Sequence, residues 1–185
     1  MATQLATLAQ VKEYLEVSNA ANDALLTRLI DVCSTSIEKW CSRVFGVNSY
    51  VITLDGTGKN YVMVDPFPII SVTSVLVNEQ AIALSTGLTV SGYYFKAPYQ
   101  IMLRGGATFP RGSQNVVISY SAGYAVIPSD IVQACVKLVA LRYRERDRLG
   151  ISSKTVGGEN ISFSNDDFPP SIERVLNEYR SVIFT

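Results

Sequence analysis

A switch in hydrophobic periodicity constrains this chain more than any other feature of its sequence. Residues 22–44 repeat apolar side chains at steps of three and four, which predicts one long amphipathic helix. From 48 to 124 the pattern changes to short runs rich in Val, Ile, Thr and Tyr, separated by Gly, Pro and Asn, as is typical of strands. Helical periodicity returns near residue 129. The sequence therefore predicts a β module inserted between helices.

About four helices and six strands are expected. The helices are predicted at 8–17, at 22–44 with a stop near Gly46, from an N-cap at Ser129 or Asp130 to an end at Gly150, and after the two prolines at 169 and 170. Thr7 and Gln10 have the spacing of a capping box at the first helix. The strand candidates are 50–56, 59–65, 69–77, 87–95, 99–105 and 115–124.

These elements predict an α+β fold with a mainly helical core. The core is assigned to 1–46 and 128–150, and an inserted antiparallel β module, a small barrel or sandwich, to 47–127. An extended arm is predicted over 151–168, followed by a C-terminal helix over 169–185. A chain of 185 residues suits one domain that carries a large insertion.

Net charge and hydropathy restrict the class of protein. Sixteen basic residues balance sixteen acidic ones, so the molecule has no bulk attraction to DNA or to anionic membranes. The N-terminal sequence lacks the pattern of a signal peptide, and no window approaches the roughly 18 apolar residues of a membrane span. We expect a soluble protein, made in a cytoplasm, with no membrane partner.

The residue types that usually carry catalysis are scarce. Cys33 and Cys41 lie on one predicted helix and Cys135 on another, so we interpret all three as buried, apolar thiols. The chain has no histidine, which excludes Ser-His-Asp and Cys-His systems. Neither 54–60 nor 157–160 has the pattern of a nucleotide-binding loop. We predict no enzyme activity, no cofactor, and no catalytic or metal site.

Charge is distributed unevenly along the chain. Residues 47–127 contain seven charged side chains, whereas the remaining 104 residues contain 25. Depletion of charge is typical of surfaces that neighbouring chains cover. A surface of Ser, Thr, Tyr and Asn side chains would also stay hydrated, so both interpretations remain open.

Four arginines lie at the predicted end of the third helix. At about 100° per residue they spread around the helix instead of forming a stripe, and Glu145 and Asp147 partly neutralise them. We favour solvation and ion pairs across a protein interface, and transient contact with a DNA backbone is the alternative. The candidate interface or DNA-channel charges are Arg142, Arg144, Arg146 and Arg148.

The polar run at 151–168 has too few apolar groups to fold alone. Ile161 and Phe163 would lie on the same side of an extended segment, which could add as a strand to another chain or insert Phe163 into it. We interpret the run as a docking arm, and a mobile surface loop is the alternative. The candidate contacts with a neighbouring chain are Ile161, Phe163, Phe168, Tyr179 and Arg180.

The C-terminal half contains a recognisable order of features. A strand ends in Tyr-x-Ala-Gly-Tyr, a helix starts with Pro-x-Asp-Ile, the long helix ends in Tyr and Arg, and a tail rich in Gly and Ser follows. These positions hold Tyr120, Ala122, Gly123, Tyr124, Pro128, Asp130, Ile131, Tyr143 and Arg144. The order resembles the head–tail connector, or adaptor, proteins of tailed bacteriophages, which also open with a short helix and a long amphipathic helix.

The resemblance implies a structural virion protein. Such proteins form a ring, usually of twelve identical subunits, beneath the portal protein at the head–tail interface, and are assembled in the host cytoplasm. The ring extends the DNA channel, allows transient non-specific DNA passage, and docks the next head-completion (stopper) or tail protein. Residues 151–185 would engage the portal, and their deletion is expected to leave a folded protein that no longer joins portal-containing particles.

Two other functions remain open at this point. The first is a monomeric β-rich binding module for a peptide or small ligand. The second is a hydrolase that holds a divalent metal near Asp166 and Asp167.

Overall fold

A computed structural model describes residues 3–96, 98–146, 153–156, 159–162 and 168–181. Within these residues, four helices and antiparallel sheets make the fold α+β. The chain divides into two compact units. Over the described residues, the helical unit contains the chain up to Arg43 and from Ile127 to 181, and the β unit contains residues 44–126.

The helical unit begins with two amphipathic helices, α1 (Leu8–Leu15) and α2 (Asp23–Cys41). The predicted capping box is confirmed, since Thr7 Oγ1 accepts from Gln10 N at 3.3 Å and Gln10 Oε1 accepts from Thr7 N at 2.8 Å. The prediction that the second helix continues to residue 44 is wrong. Ser42 adopts a left-handed conformation (φ 49°), and its N–H returns to the carbonyl of Lys39, which ends α2 before Gly46.

Helix α3 (Ser129–Glu145) packs against α1, α2 and α4 (Pro170–Tyr179). The predicted apolar residues Ile131, Cys135, Leu138 and Val139 are buried, and so are Ala134, Val136 and Ala140. Pro128 is the N-cap and provides no side-chain hydrogen bond, so the predicted capping role of Ser129 or Asp130 is wrong. The predicted helix end at Gly150 lies outside the described residues.

The β unit contains seven strands in two antiparallel sheets. They are β1 (Asn48–Gly56), β2 (Tyr61–Met63), β3 (Ile69–Val77), β4 (Gln80–Ile82), β5 (Gly92–Lys96), β6 (Gln100–Arg104) and β7 (Gly112–Ala122). The sheet orders are β1-β7-β3-β4 and β2-β6-β5. Both sheets contribute to one hydrophobic cluster, with Ile118 and Val75 from the first and Ile101 from the second. The choice between a barrel and a sandwich stays a prediction.

The strand count differs from the predicted six. Strand β4 was not expected, and it pairs with β3 through a two-residue turn in which Asn78 and Glu79 have positive φ angles of 48° and 64°. The predicted strand at 87–95 is correct only from Gly92 onward. Residues 87–91 form a loop, which Arg104 fixes by donating from Nη1 to the carbonyl of Gly87 at 2.8 Å.

The Tyr-x-Ala-Gly-Tyr motif holds the two ends of the β unit together. Tyr124 stacks on Phe45 with ring centroids 5.8 Å apart, and its N–H donates to the carbonyl of Phe45 at 2.9 Å. Gly123 has a φ of 128°, and an added Cβ would collide with the carbonyl oxygen of Gly46. Tyr120 is buried and donates its hydroxyl to the carbonyl of Pro66 at 3.0 Å. The motif therefore has a structural role in this chain.

Part of the predicted arm forms a hairpin. Strands β8 (Ser153–Val156) and β9 (Glu159–Ser162) pair antiparallel, with Lys154 opposite Ile161. Over these residues the chain doubles back as two extended strands, and the role of 151–168 as a docking arm stays a prediction. The hairpin is a separate two-stranded sheet.

Candidate assembly surfaces

Helix α4 belongs to the core of the helical unit. Leu176 is fully buried, and the ring of Phe168 lies 5.1 Å from that of Trp40 on α2. After the helix, the N–H of Ser181 donates to the carbonyl of Cys41 at 2.8 Å. The C-terminal segment is thus attached to α2 along its length, by apolar contacts and by the backbone.

A carboxylate ties the end of α4 to the start of α3. The hydroxyl of Tyr179 lies 2.8 and 3.0 Å from the two carboxylate oxygens of Asp130. Asp130 Oδ1 also accepts from the N–H of Ile131 at 2.9 Å. Because a hydrogen bond to a charged acceptor is stronger than one between neutral groups, this contact orients the last turn of α4.

The predicted contacts with a neighbouring chain have different environments. Phe168 is only 9% exposed, so most of its ring is covered by this chain and little is available to another one. Tyr179 is half-buried against Asp130, and Arg180 is exposed. Ile161 lies in β9, and Phe163 lies outside the described residues. The role of these five residues in assembly stays a prediction.

The arginines near the end of α3 also differ from one another. Arg142 is half-buried, whereas Arg144 and Arg146 are exposed, and Arg148 lies outside the described residues. The guanidinium of Arg146 lies 4.1 Å from the ring centroid of Tyr143. Lys137, which the sequence reasoning did not single out, is exposed two turns before Arg144 and shares its helix face. The seven-residue spacing of Lys137 and Arg144 in the sequence could have indicated that their charges share one face of the helix.

The three cysteines are free and buried, as predicted. Burial raises the pKa of the Cys33 thiol to about 12, although the positive charge of Arg142 opposes this shift. Burial likewise raises the pKa of Cys41 and of Cys135 to about 11. Since the thiolate is the nucleophile, these protonated thiols are poorly suited to covalent catalysis.

One sheet face of the β unit is uncharged across three paired rows, and Asp55 lies beyond these rows on the same side of β1. It is the face of β1, β7 and β3 that points away from the hydrophobic cluster, and three cross-strand rows compose it. The rows are Ser49–Ser121–Ser71, Val51–Ser119–Ser74 and Thr53–Val117–Leu76. We call these nine residues the uncharged face. Sequence reasoning found the scarcity of charge but not this face, because only the strand register brings the nine residues together.

One groove of about 290 Å³, open to solvent, is lined by Gln10, Glu13, Tyr14, Val132, Gln133 and Val136. Among the described residues, no three Asp, Glu, Cys or His side chains lie close enough together to bind a metal ion. Asp166 and Asp167 lie outside them. No described helix combines the length and the apolar character that crossing a bilayer requires.

Comparison with known proteins gives a family match. The model of a family described as head completion protein (HCP) matches residues 4–182, which is almost the whole chain. No curated protein matches at a significant level.

Solved structures of gene transfer agent (GTA) particles share the fold. A chain from the virion of the native GTA particle aligns with a TM-score of 0.58 and 15% identity, covering 100% of this chain and 94% of that one. A chain from the neck of the empty GTA particle, computed with C6 symmetry, aligns with a TM-score of 0.56 and 16% identity, covering 96% of this chain and 90% of that one. A chain from the neck of the native GTA particle, computed with C12 symmetry, aligns with a TM-score of 0.55 and 18% identity, again covering 96% of this chain and 90% of that one.

Proposed function

Because the chain belongs to the head completion protein family, we propose that it is a structural virion protein that connects head and tail at the neck of a phage-like particle. The observation that carries this proposal is the extent of the family match, which includes both the helical unit and the β unit. The structural neighbours support it, since two of the three are neck proteins and cover 90% of their own length in the alignment.

The finer proposal is an adaptor ring of twelve subunits. The ring lies beneath the portal, extends the DNA channel, and docks the stopper or tail protein that follows. The C12 and C6 symmetries of the GTA necks support a ring, because a closed ring of twelve is compatible with both. A ring requires heterologous contacts, in which one face of a subunit meets a different face of the next.

We further propose that the protein acts without enzymatic chemistry. The absence of histidine removes the commonest general base, and burial keeps all three thiols protonated at neutral pH. A net charge of zero supports passage of DNA with only transient contacts. In this proposal, exposed Arg144 and Arg146 are candidates for those contacts.

Imaging of the head–tail vertex tests the proposal. Particles assembled with the wild-type chain are expected to show twelve copies of the α+β fold in a ring under the portal. Particles assembled without the chain are expected to lack that ring and to contain heads that have not joined tails. A vertex with identical density in both preparations would contradict the proposed function.

A further inference from the structure

Most sheet edges of the β unit are protected. An exposed strand edge presents unpaired N–H and C=O groups to other chains, and proteins limit this by short strands, charges, prolines or a covering loop. Strands β2 and β4 have three residues each. The segment that precedes β5 covers the edge of this strand, because Tyr93 N donates to the carbonyl of Ala83 and Ser85 N donates to the carbonyl of Tyr93.

Strand β1 is the exception. It has nine residues and lies at the end of the four-stranded sheet, next to β7. In the described part of the chain, the backbone of residues 51–55 pairs only with β7. The strand contains no Lys, Arg or Pro, and the carboxylate of Asp55 already accepts from Gln114 N at 2.6 Å. Val51 is 72% exposed beside this edge.

Within the described ranges, the β8–β9 hairpin lacks a third strand, whereas β1 lacks a partner on its outer edge. Its two strands of four residues pair only with each other in the sheet assignments of the described residues. An isolated two-stranded hairpin is marginally stable in water and gains stability from a third strand. The sequences of the two strands, SKTV and ENIS, contain too few apolar residues to form a core of their own.

We propose that β1 of one subunit accepts the β8–β9 hairpin of a second copy of this chain. The four-stranded sheet would then continue into the hairpin of the neighbour, and the short hairpin strands fit within the length of β1. This inference rests on the proposed ring. Backbone hydrogen bonds would supply the contact, as in other cases of strand addition.

The partner is a second copy because the described residues of each chain include one long open edge and one incomplete hairpin. Contacts between such unlike surfaces are heterologous, which is what a closed ring needs. In a ring, every β1 edge and every hairpin would be paired with none left over. A strand from a different protein would occupy β1 but would leave the hairpin unpaired.

Cross-linking between copies tests this pairing. The full chain carrying Thr53→Cys in β1 and Asn160→Cys in β9 would be assembled into particles and treated with a short bismaleimide. The reagent should react at the introduced thiols, because the three native cysteines are buried. We expect a ladder of covalent multimers on a denaturing gel. A mixture of the two single variants should give dimers and no larger species.

The matched control carries Leu88→Cys with Asn160→Cys, since Leu88 is 86% exposed in the same unit but lies outside β1. This pair should give no ladder, and a ladder as strong as that of the β1 pair would overturn the proposal. A link within one chain, or a link only to another protein, would also overturn it. If particles contain the variant but show no cross-links, the pairing is rejected and the proposed function is not. If the wild-type chain is absent from the vertex, the proposed function is rejected as well.

Hydrogen exchange of the wild-type chain provides a second readout that needs no variant. Amides of residues 51–55 that point away from β7 should exchange rapidly in the free protein and become protected in the assembled ring. Equal exchange in the two states would refute the pairing.

Discussion

At the scale of single residues, burial governs the behaviour of the cysteines. Cys33 on α2 and Cys135 on α3 are both fully buried, and Ser34 Oγ lies 3.7 Å from the Cys135 sulfur. Ser34 is itself buried and also accepts from the N–H of Leu5 at 3.0 Å. The removal of these thiols from water raises their pKa values, and this links the stability of the helical unit to alkaline pH.

We expect the protein to lose stability above about pH 9. In the unfolded chain a cysteine thiol has a pKa near 9.0 and ionises above this pH. In the folded protein the pKa is about 12 for Cys33 and about 11 for Cys135, so both thiols keep their protons. The unfolded state therefore binds fewer protons, and each thiol lowers the unfolding free energy by up to about 1.4 kcal/mol per pH unit. Urea denaturation at pH 8, 9 and 10 under reducing conditions measures this slope. Cys33→Ala should flatten it, and an unchanged slope would contradict the assignment.

Backbone conformation at single residues was harder to predict than burial. The buried thiols followed from the apolar spacing of α2 and α3, and the capping box followed from the residue types at 7 and 10. Ser42, Asn78 and Glu79 have positive φ angles that only glycine adopts at low cost. Ser42 bonds locally to the carbonyl of Lys39, whereas Asn78 N donates to the carbonyl of Asn115, a tertiary hydrogen bond that no local pattern reveals.

At the scale of elements, α4 is a structural part of the helical unit. The apolar spacing and the two prolines predicted this helix, and Ile172 and Leu176 are buried as that spacing requires. The sequence could not show that the helix packs against α2 and α3. A chain lacking 151–185 would lose a fully buried leucine and the aromatic contact of Trp40, so on the basis of the structure we expect this deletion to destabilise the helical unit.

A smaller change at α4 makes this testable. Leu176→Ala should lower the unfolding free energy by about 2–5 kcal/mol, because it leaves a cavity in a packed core. Chemical denaturation measures the loss, and Glu178→Ala on the exposed side of the same helix should change it by less than about 0.5 kcal/mol. Replacement of 153–162 by a Gly/Ser linker of equal length should leave the stability near that of the wild type. Equal losses for Leu176→Ala and Glu178→Ala would count against a core role for α4.

At the scale of the whole molecule, the distribution of charge is the most informative feature. The sequence showed that the β unit is poor in charge, and the fold shows that nine uncharged residues share one sheet face. Two interpretations of this scarcity were open, a covered surface and a hydrated one. Five of the nine residues are serines, which suit either interpretation, so an added charge is needed to separate them.

Val51→Lys introduces such a charge at an exposed position. If neighbouring subunits cover the uncharged face, the variant should fold normally but be incorporated into particles at least about tenfold less than the wild type, since burial of an unpaired charge is costly. Quantitative immunoblotting of purified particles measures incorporation. Leu88→Lys, at a more exposed site of the same unit, should be incorporated normally. Normal incorporation of Val51→Lys would favour the hydrated surface.

The joined ends of the β unit have an evolutionary consequence. Because Phe45 and Tyr124 are hydrogen-bonded and stacked, the polypeptide leaves this unit within a few ångströms of where it begins. Segments with adjacent ends are readily gained, lost or exchanged without rebuilding their host. We therefore expect that the β unit can be exchanged as a whole without rebuilding the helical unit.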